Sequence, residues 1–257
     1  MEYNSPHKLY NLSSIKICRH KTRTTLEKVR QILDETFFEA ENYYSTLSFD
    51  EYRNVMLSAQ NLLNNGNGIC REIIGEMESE VFEYFSSDSL LVQSNVYLRA
   101  SRPNHMPETE NIGWHRETFY GANMEKSVNC WTPIRGVDEF NSLQFIPKSQ
   151  NIRDEDILVE SYDSKTTERF SVGHKLGFQY KPKKIISGVD FTNPKRMMVD
   201  YGCSALFSGN LIHGAAENRS NTIRFSIDFR MLKKSDYSAS EAKQMHFSSN
   251  KPYFVEY

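Results

Sequence analysis

The chain has 257 residues, 31 Lys and Arg against 33 Asp and Glu for a formal charge of −2, and 39% hydrophobic residues. That length suits one barrel or sandwich domain with a large buried core, and the near-neutral balance creates no global field favouring nucleic acid or a membrane surface. The four cysteines, Cys18, Cys70, Cys130 and Cys203, are widely spread without a CxxC pair, which argues against a zinc ribbon or a disulfide scaffold and for a reducing compartment. The start, Met1-Glu2-Tyr3-Asn4-Ser5-Pro6, lacks a charged stretch leading into an apolar one. No apolar run approaches the roughly 18 residues that span a bilayer, so a soluble, cytoplasmic protein is expected.

In chain order, residues 1–20 read as an irregular lead-in. Three helices follow, in a helical part spanning about 22–86. The first, 24–42, carries Leu26, Val29, Ile32, Leu33 and Phe37 at helical spacing. The second opens on a capping box, Ser48-Phe49-Asp50-Glu51, carries Tyr52, Val55, Met56, Ala59, Leu62 and Leu63, and stops at Gly66. The third, 68–85, presents Ile69, Ile73, Ile74, Met77, Val81 and Phe85 but is weakened by Gly75. Their apolar faces are expected to cover a sheet.

From residue 89 the hydrophobic period switches to two, and the text to 232 reads as strands joined by Gly, Pro and Asn turns, followed by a tail over 233–257. Helices first and strands afterwards predict an α+β fold. Its core would be a jelly roll, the cupin-like double-stranded β-helix, with the N-terminal helices packed on the sheet. The 89–99 strand puts Gln93, Asn95, Tyr97 and Arg99 on one face and Val92, Ser94, Val96 and Leu98 on the other. Thr222–Arg230 likewise separates Arg224, Ser226, Asp228 and Arg230 from Ile223, Phe225, Ile227 and Phe229. Small barrels usually fill their interior with apolar side chains, so polar inner faces mean an enclosed ligand; the alternative is that these faces point to solvent.

Chemistry concentrates in a split constellation. His115 and Glu117 stand at i and i+2, which on a strand places both side chains on one face, and His213 arrives about a hundred residues later. Two imidazoles and one carboxylate on three corners of an octahedron, with the rest open, form a non-haem Fe(II) oxygenase site. Arg224, with its planar fork, suits a carboxylate inside the barrel, which is costly to bury alone. No nucleophile elbow surrounds Ser208, and no Gly-rich phosphate loop appears.

Four blocks occur in order: Gly113-Trp114-His115-Arg116-Glu117, Ser127–Ile134 with Trp131, Asn141–Gln150 with Pro147-Lys148-Ser149-Gln150, and His213–Asn221 followed by Arg224. Over residues 90–232 this text resembles the phytanoyl-CoA dioxygenase family of Fe(II)- and 2-oxoglutarate-dependent oxygenases, including the His-to-Arg step of eleven residues. The resemblance implies His115, Glu117 and His213 as metal ligands, Arg224 on 2-oxoglutarate, and Trp131 against that cosubstrate with Asn129 on the same strand face. It also implies hydroxylation of an unactivated carbon, with desaturation, cyclisation and epimerisation open to the same oxidant.

Three departures stand out. Glu117 is one methylene longer than the family's usual Asp. Pro147-Lys148-Ser149-Gln150 replaces a usual Pro-Gly-Ser-His turn. Ala215 occupies a position that carries a small hydroxyl residue in some members.

For the substrate, Trp114 and Phe119 flank the metal motif, and Tyr97 and Arg99 reach inward from their strand. Lys175, Lys181, Lys183, Lys184, Lys195 and Arg196 gather over 175–196, which reads either as a solvated face or as the mouth of a pocket for an anionic small molecule. The rival readings are a catalytically silent jelly-roll protein that binds a polar ligand and a cupin-like metalloenzyme that needs no keto acid; the latter leaves Arg224 without a role.

Overall fold

The computed structural model describes residues 15–37, 47–66, 68–104, 112–161, 183–238, 246–248 and 251–257. In chain order the strands are β1 (Ile15–Arg19), β2 (Leu90–Gln93), β3 (Tyr97–Ser101), β4 (Val128–Arg135), β5 (Gln144–Phe145), β6 (Leu158–Ser161), β7 (Lys183–Ser187), β8 (Lys195–Arg196), β9 (Cys203–Ser208), β10 (His213–Gly214), β11 (Arg224–Lys233), β12 (His246–Ser248), β13 (Lys251–Pro252) and β14 (Phe254–Glu256). Between β1 and β2 lie α1 (Thr24–Thr36), α2 (Phe49–Asn64), α3 (Ile69–Glu76) and α4 (Glu78–Phe85).

The helices follow their sequence signals with two differences. Leu26, Val29 and Leu33 bury one stripe of α1, but it ends at Thr36 rather than 42, with Phe37 already at φ −116°. The α2 capping box forms in both directions: Ser48 Oγ accepts from Glu51 N–H, and the Glu51 carboxylate accepts from Ser48 N–H at 3.0 Å. The expected third helix is two, because Met77 leaves helical geometry at φ −134°, ψ 25° and serves both as the end of α3 and the start of α4.

A seven-stranded sheet runs in the order β1-β9-β4-β11-β2-β14, with β3 also paired to β11, and the pairs are antiparallel. Two of its strands come from segments read as lead-in and tail. Residues Ile15–Arg19 pair with Cys203–Phe207, and Phe254–Glu256 pair with Leu91–Gln93. These strands are three and five residues long, too short for a period of two to stand out. The 89–99 strand is interrupted after Gln93 and resumes at Tyr97.

One face of this sheet carries the helices. Leu98, Ile223, Phe225, Ile227, Phe229 and Met231 join Leu26, Val29, Tyr52, Met56, Ile73 and Val81 in the largest apolar cluster. His20, after β1, ties the layers together: its Nδ1 lies 2.7 Å from Glu76 at the end of α3, and its Nε2 lies 2.8 Å from Ser204 Oγ on β9. Glu76 also accepts from Thr25 N–H in the first turn of α1, at 2.8 Å.

The opposite face looks onto a small sheet, β10-β5-β8, extended by a bridge between His115 and His213. Trp131, Leu143, Phe145, Met197, Ala205, Phe207 and Leu211 fill part of the space between the two sheets. Two facing sheets with helices outside are the α+β jelly-roll arrangement the sequence predicts. The β6-β7 hairpin stands apart as its own two-stranded sheet. No helix among the described residues is long and apolar enough to cross a membrane.

Candidate metal centre

The cavity between the sheets is lined by Arg99 from β3, Asn129 and Trp131 from β4, Phe207 from β9, Arg224, Asp228 and Arg230 from β11, and Ile112, His115, Leu143, His213 and Ala215 from the facing side. The polar face of β11 therefore points inward, and its apolar face stabilises the helix layer. Lys148 makes the sharp turn of Pro147-Lys148-Ser149-Gln150 with φ 65°, and Ser149 Oγ accepts from Ile212 N–H at 2.8 Å. That turn buttresses the residue before His213. Arg116 pins the other flank by donating to Asp154 at 2.6 Å, Ile152 O at 2.9 Å and Ser149 O at 2.7 Å.

His115 and His213 face each other across two backbone hydrogen bonds, His115 N–H to His213 O at 2.9 Å and His213 N–H to His115 O at 3.0 Å. Glu117 is not on a strand with His115. It opens a 3-10 turn, Glu117–Tyr120, anchored by Glu117 N–H donating to Gly209 O at 2.8 Å. The turn still delivers the carboxylate to the imidazoles: Glu117 Oε1 lies 3.8 Å from His115 Nε2 and 3.7 Å from His213 Nε2. The three donor atoms lie within 4.8 Å of one another and all three residues are buried.

The donor chemistry fits a divalent ion. His115 Nδ1 lies 2.8 Å from Gly113 O and His213 Nδ1 2.9 Å from Leu211 O. A carbonyl only accepts, so each Nδ1 carries the proton and each Nε2 presents its lone pair to Glu117. Burial and the neighbouring imidazole push His115 down to about 3, and burial also lowers His213, so both rings are neutral near pH 7. Glu117 stays ionised although burial opposes it, because above all the Arg230 guanidinium brings its carboxyl down to about 2.

Two further groups on the wall have buried polar atoms without hydrogen-bond partners. Arg224 is 1% exposed; its Nη1 donates to Asn141 O at 2.9 Å, and its Nε has no hydrogen-bond acceptor. Asn129 is buried with neither its amide nitrogen nor its amide oxygen hydrogen-bonded. Buried polar groups left open in this way are rare and fit a dicarboxylate that brings its own oxygens. Trp131 lies beside them, its Nε1 donating to Ser226 Oγ at 3.1 Å.

Of the four residues picked out for substrate, Arg99 alone lines the cavity. Arg99 is engaged by Asp228 at 2.6 Å, and its guanidinium stacks on Tyr97, 4.8 Å from the ring centroid. Trp114 packs instead on Phe191, with ring centroids 5.3 Å apart, and Phe119 sits under Lys183, whose Nζ is 5.5 Å from the ring centroid. Lys183 and Lys184 are exposed on the β6-β7 hairpin, Lys195 and Arg196 are half-buried, and Lys175 and Lys181 lie outside the described residues. Sequence reasoning passed over Arg230 and Asp228 as site groups, although their alternation with Arg224 on one strand was the signal.

The sequence model of the phytanoyl-CoA dioxygenase family matches residues 20–226. No curated protein sequence matches the chain. Among solved structures, the chain is similar to EvdO2 from Micromonospora carbonacea var. aurantiaca complexed with 2-oxoglutarate, at 12% identity and a TM-score of 0.55 over 88% of this chain and 89% of that one. EvdO2 from the same source in a second structure gives 13% identity and a TM-score of 0.53 over the same shares. The apo form of the non-haem monooxygenase ThoJ gives 12% identity and a TM-score of 0.50 over 86% of this chain and 75% of that one. At such identities the likeness concerns the fold.

Proposed function

The chain belongs to the phytanoyl-CoA dioxygenase family of non-haem Fe(II)- and 2-oxoglutarate-dependent oxygenases, and on that premise we propose that His115, Glu117 and His213 hold one Fe(II) ion. The observation that carries the assignment is that both imidazoles are fixed by backbone carbonyls with Nε2 turned to the same carboxylate oxygen. Arg224 takes the far carboxylate of 2-oxoglutarate, while Asn129 and Trp131 flank the cosubstrate. With 2-oxoglutarate and O2, Fe(II) supplies an oxidant able to take a hydrogen atom from an unactivated carbon, with succinate and CO2 as coproducts. The chain's own contribution is to hold the ligands neutral or ionised as binding requires, to present a fork to the cosubstrate, and to exclude bulk water between two sheets.

Hydroxylation of a small polar molecule is the proposed outcome; desaturation, cyclisation or epimerisation would use the same protein groups. Charge balance supports an anionic substrate. Arg99, Arg224 and Arg230 face the cavity against the carboxylates of Asp228 and Glu117. A divalent cation and a dianionic cosubstrate cancel, which leaves one positive charge in a buried space, and an uncompensated buried charge is costly. A phosphate or carboxylate on the substrate completes the balance. The four cysteines are free thiols, in keeping with the reducing conditions of a cytoplasm.

Anaerobic titration tests this reading. Fe(II) and 2-oxoglutarate added together should produce a weak visible charge-transfer band that neither produces alone. Folded, iron-loaded protein that shows no band with 2-oxoglutarate would exclude the shared site.

A further inference from the structure

Glu117 is gripped from behind. Arg230 Nε donates to Glu117 Oε2 and Arg230 Nη2 to Glu117 Oε1, each at 3.0 Å, while Arg230 Nη1 donates to Asp228 Oδ1 at 2.7 Å. Arg99 closes the line, its Nε donating to Asp228 Oδ2 at 2.6 Å. All four side chains are buried. Arg230 is held in turn by its backbone, whose N–H donates to Gln93 Oε1 at 3.1 Å, and its guanidinium stacks 5.3 Å from the Tyr97 ring centroid.

We infer that Arg230 is the positioning residue of the metal carboxylate, and that this role accounts for Glu rather than Asp at position 117. The inference rests on the His115, Glu117, His213 assignment. A free Glu side chain loses up to about 2 kcal/mol of rotamer entropy when it is fixed; the fork fixes it before any ion arrives, with Oε1 toward both Nε2 atoms. The parallel N–H bonds also occupy the edge between the two carboxylate oxygens, where a chelating ion would sit. Oε1 keeps a second lone pair, so Glu117 ligates through that oxygen alone and the other coordination positions remain open. An Asp here, one methylene shorter, could not keep both the fork and the reach to the imidazoles.

The test uses Co(II), an air-stable substitute for Fe(II), titrated into the full chain and followed by its visible absorption and by calorimetry. Arg230→Gln and Arg230→Lys are compared in the Glu117 and Glu117→Ala backgrounds. Groups that orient a metal ligand are typically worth about tenfold to about a hundredfold in metal affinity, and that loss is expected for Arg230→Gln, with a smaller loss for Arg230→Lys. In the Glu117→Ala background the same substitution should matter less than about twofold, because no carboxylate is left to position. A merely structural role would weaken binding equally in both backgrounds. That result overturns the inference, as does an Arg230→Gln effect below about threefold. If Arg230→Gln does not fold, Arg230→Lys, which keeps the charge between Asp228 and Glu117, decides by the same criteria. Wild-type protein that binds no Co(II) overturns the metal centre itself, whereas tight wild-type binding with no Arg230 dependence removes the positioning role alone.

Discussion

Replacing Arg224 by Met should stabilise the ligand-free protein while abolishing its response to 2-oxoglutarate. Arg99 and Arg230 each make an ion pair with a carboxylate, whereas Arg224 donates to the carbonyl of Asn141. Burial, reinforced by Arg99 and Arg196, brings its guanidinium from 12.5 down to about 10. That drop means the fold disfavours the charged form by about 3 kcal/mol. Met is of similar length and apolar, so the variant recovers this term and loses one hydrogen bond worth about 1 kcal/mol. A net gain of about 2 kcal/mol corresponds to a melting temperature raised by about 4–8 °C in a domain of this size. Wild-type protein at 2-oxoglutarate about a hundredfold above its Kd should gain about 2.7 kcal/mol from binding. The Met variant should gain nothing, because the far carboxylate meets no cation, and loss of the charged partner of about 3 kcal/mol raises Kd by more than about a hundredfold. Arg224→Lys keeps the charge without the fork and should weaken 2-oxoglutarate by about 1–3 kcal/mol. Thermal melts with and without 2-oxoglutarate, on Co(II)-loaded protein and checked by calorimetry, read all three quantities. An Arg224→Met protein that melts lower than wild type when ligand-free, and still binds 2-oxoglutarate within about tenfold of wild type, would refute the assignment.

Gly214 follows His213 on β10, and a Cβ there would lie 2.7 Å from Gly113 O and 3.0 Å from Trp114 N. Gly214→Ala should therefore wedge the two imidazole-bearing segments apart, at about 1–3 kcal/mol in stability and with weaker Co(II) binding; an unchanged Co(II) titration would show that the segments part without moving the ligands. Lys148 sits at φ 65°, where a side chain is strained. Lys148→Gly should raise stability by about 0.5–1 kcal/mol in denaturant titration without touching activity, and no gain would mean that the Lys side chain offsets the strain. Lys183→Glu with Lys184→Glu, both exposed on β7, should raise KM for an anionic substrate, with the effect shrinking as salt rises past a Debye length of about 8 Å. Turnover of 2-oxoglutarate without substrate should stay the same. A KM indifferent to both substitutions and salt would make that hairpin a solvated face.

The sequence displayed the fold wherever a period was long enough to read. Ser48 and Glu51 announced α2, and Thr222–Arg230, which holds most of β11, displayed both faces of that strand. It concealed β1 and β14, because five and three residues carry too few alternations to separate a strand from a loop, and their place in the sheet depends on long-range partners at Cys203–Phe207 and Leu91–Gln93. The break at Met77 was hidden for a similar reason, since the apolar spacing runs through it without interruption. At the site, His115, Glu117, His213 and Arg224 were legible as residue types in order, but the route was not. The i, i+2 spacing suggested a shared strand face, whereas the 3-10 turn held by Gly209 O brings Glu117 inward. The pairing of Arg230 with Glu117 required knowing that the start of that turn lies opposite the middle of β11, which no local pattern contains.

Stability and chemistry are allotted to opposite faces of one strand. Ile223, Phe225, Ile227 and Phe229 stand in the helix-covered core, where fully burying each contributes about 1.5–3 kcal/mol. On the other face Arg224, Asp228 and Arg230 line the cavity, where buried ion pairs contribute little net stability, since desolvation cancels most of their attraction. The apolar face thus carries a polar face that could not hold a strand in place alone. Because alternate residues cannot exchange faces without a register slip, the core that fixes the register of β11 also fixes the heights at which Arg224 enters the cavity and Arg230 meets Glu117. The six-residue interval between the two arginines spans about 20 Å along the strand, which separates the group proposed to hold the cosubstrate's far end from the group that holds the Glu117 carboxylate. The cavity in between is where a keto acid has to lie for both to act on one site.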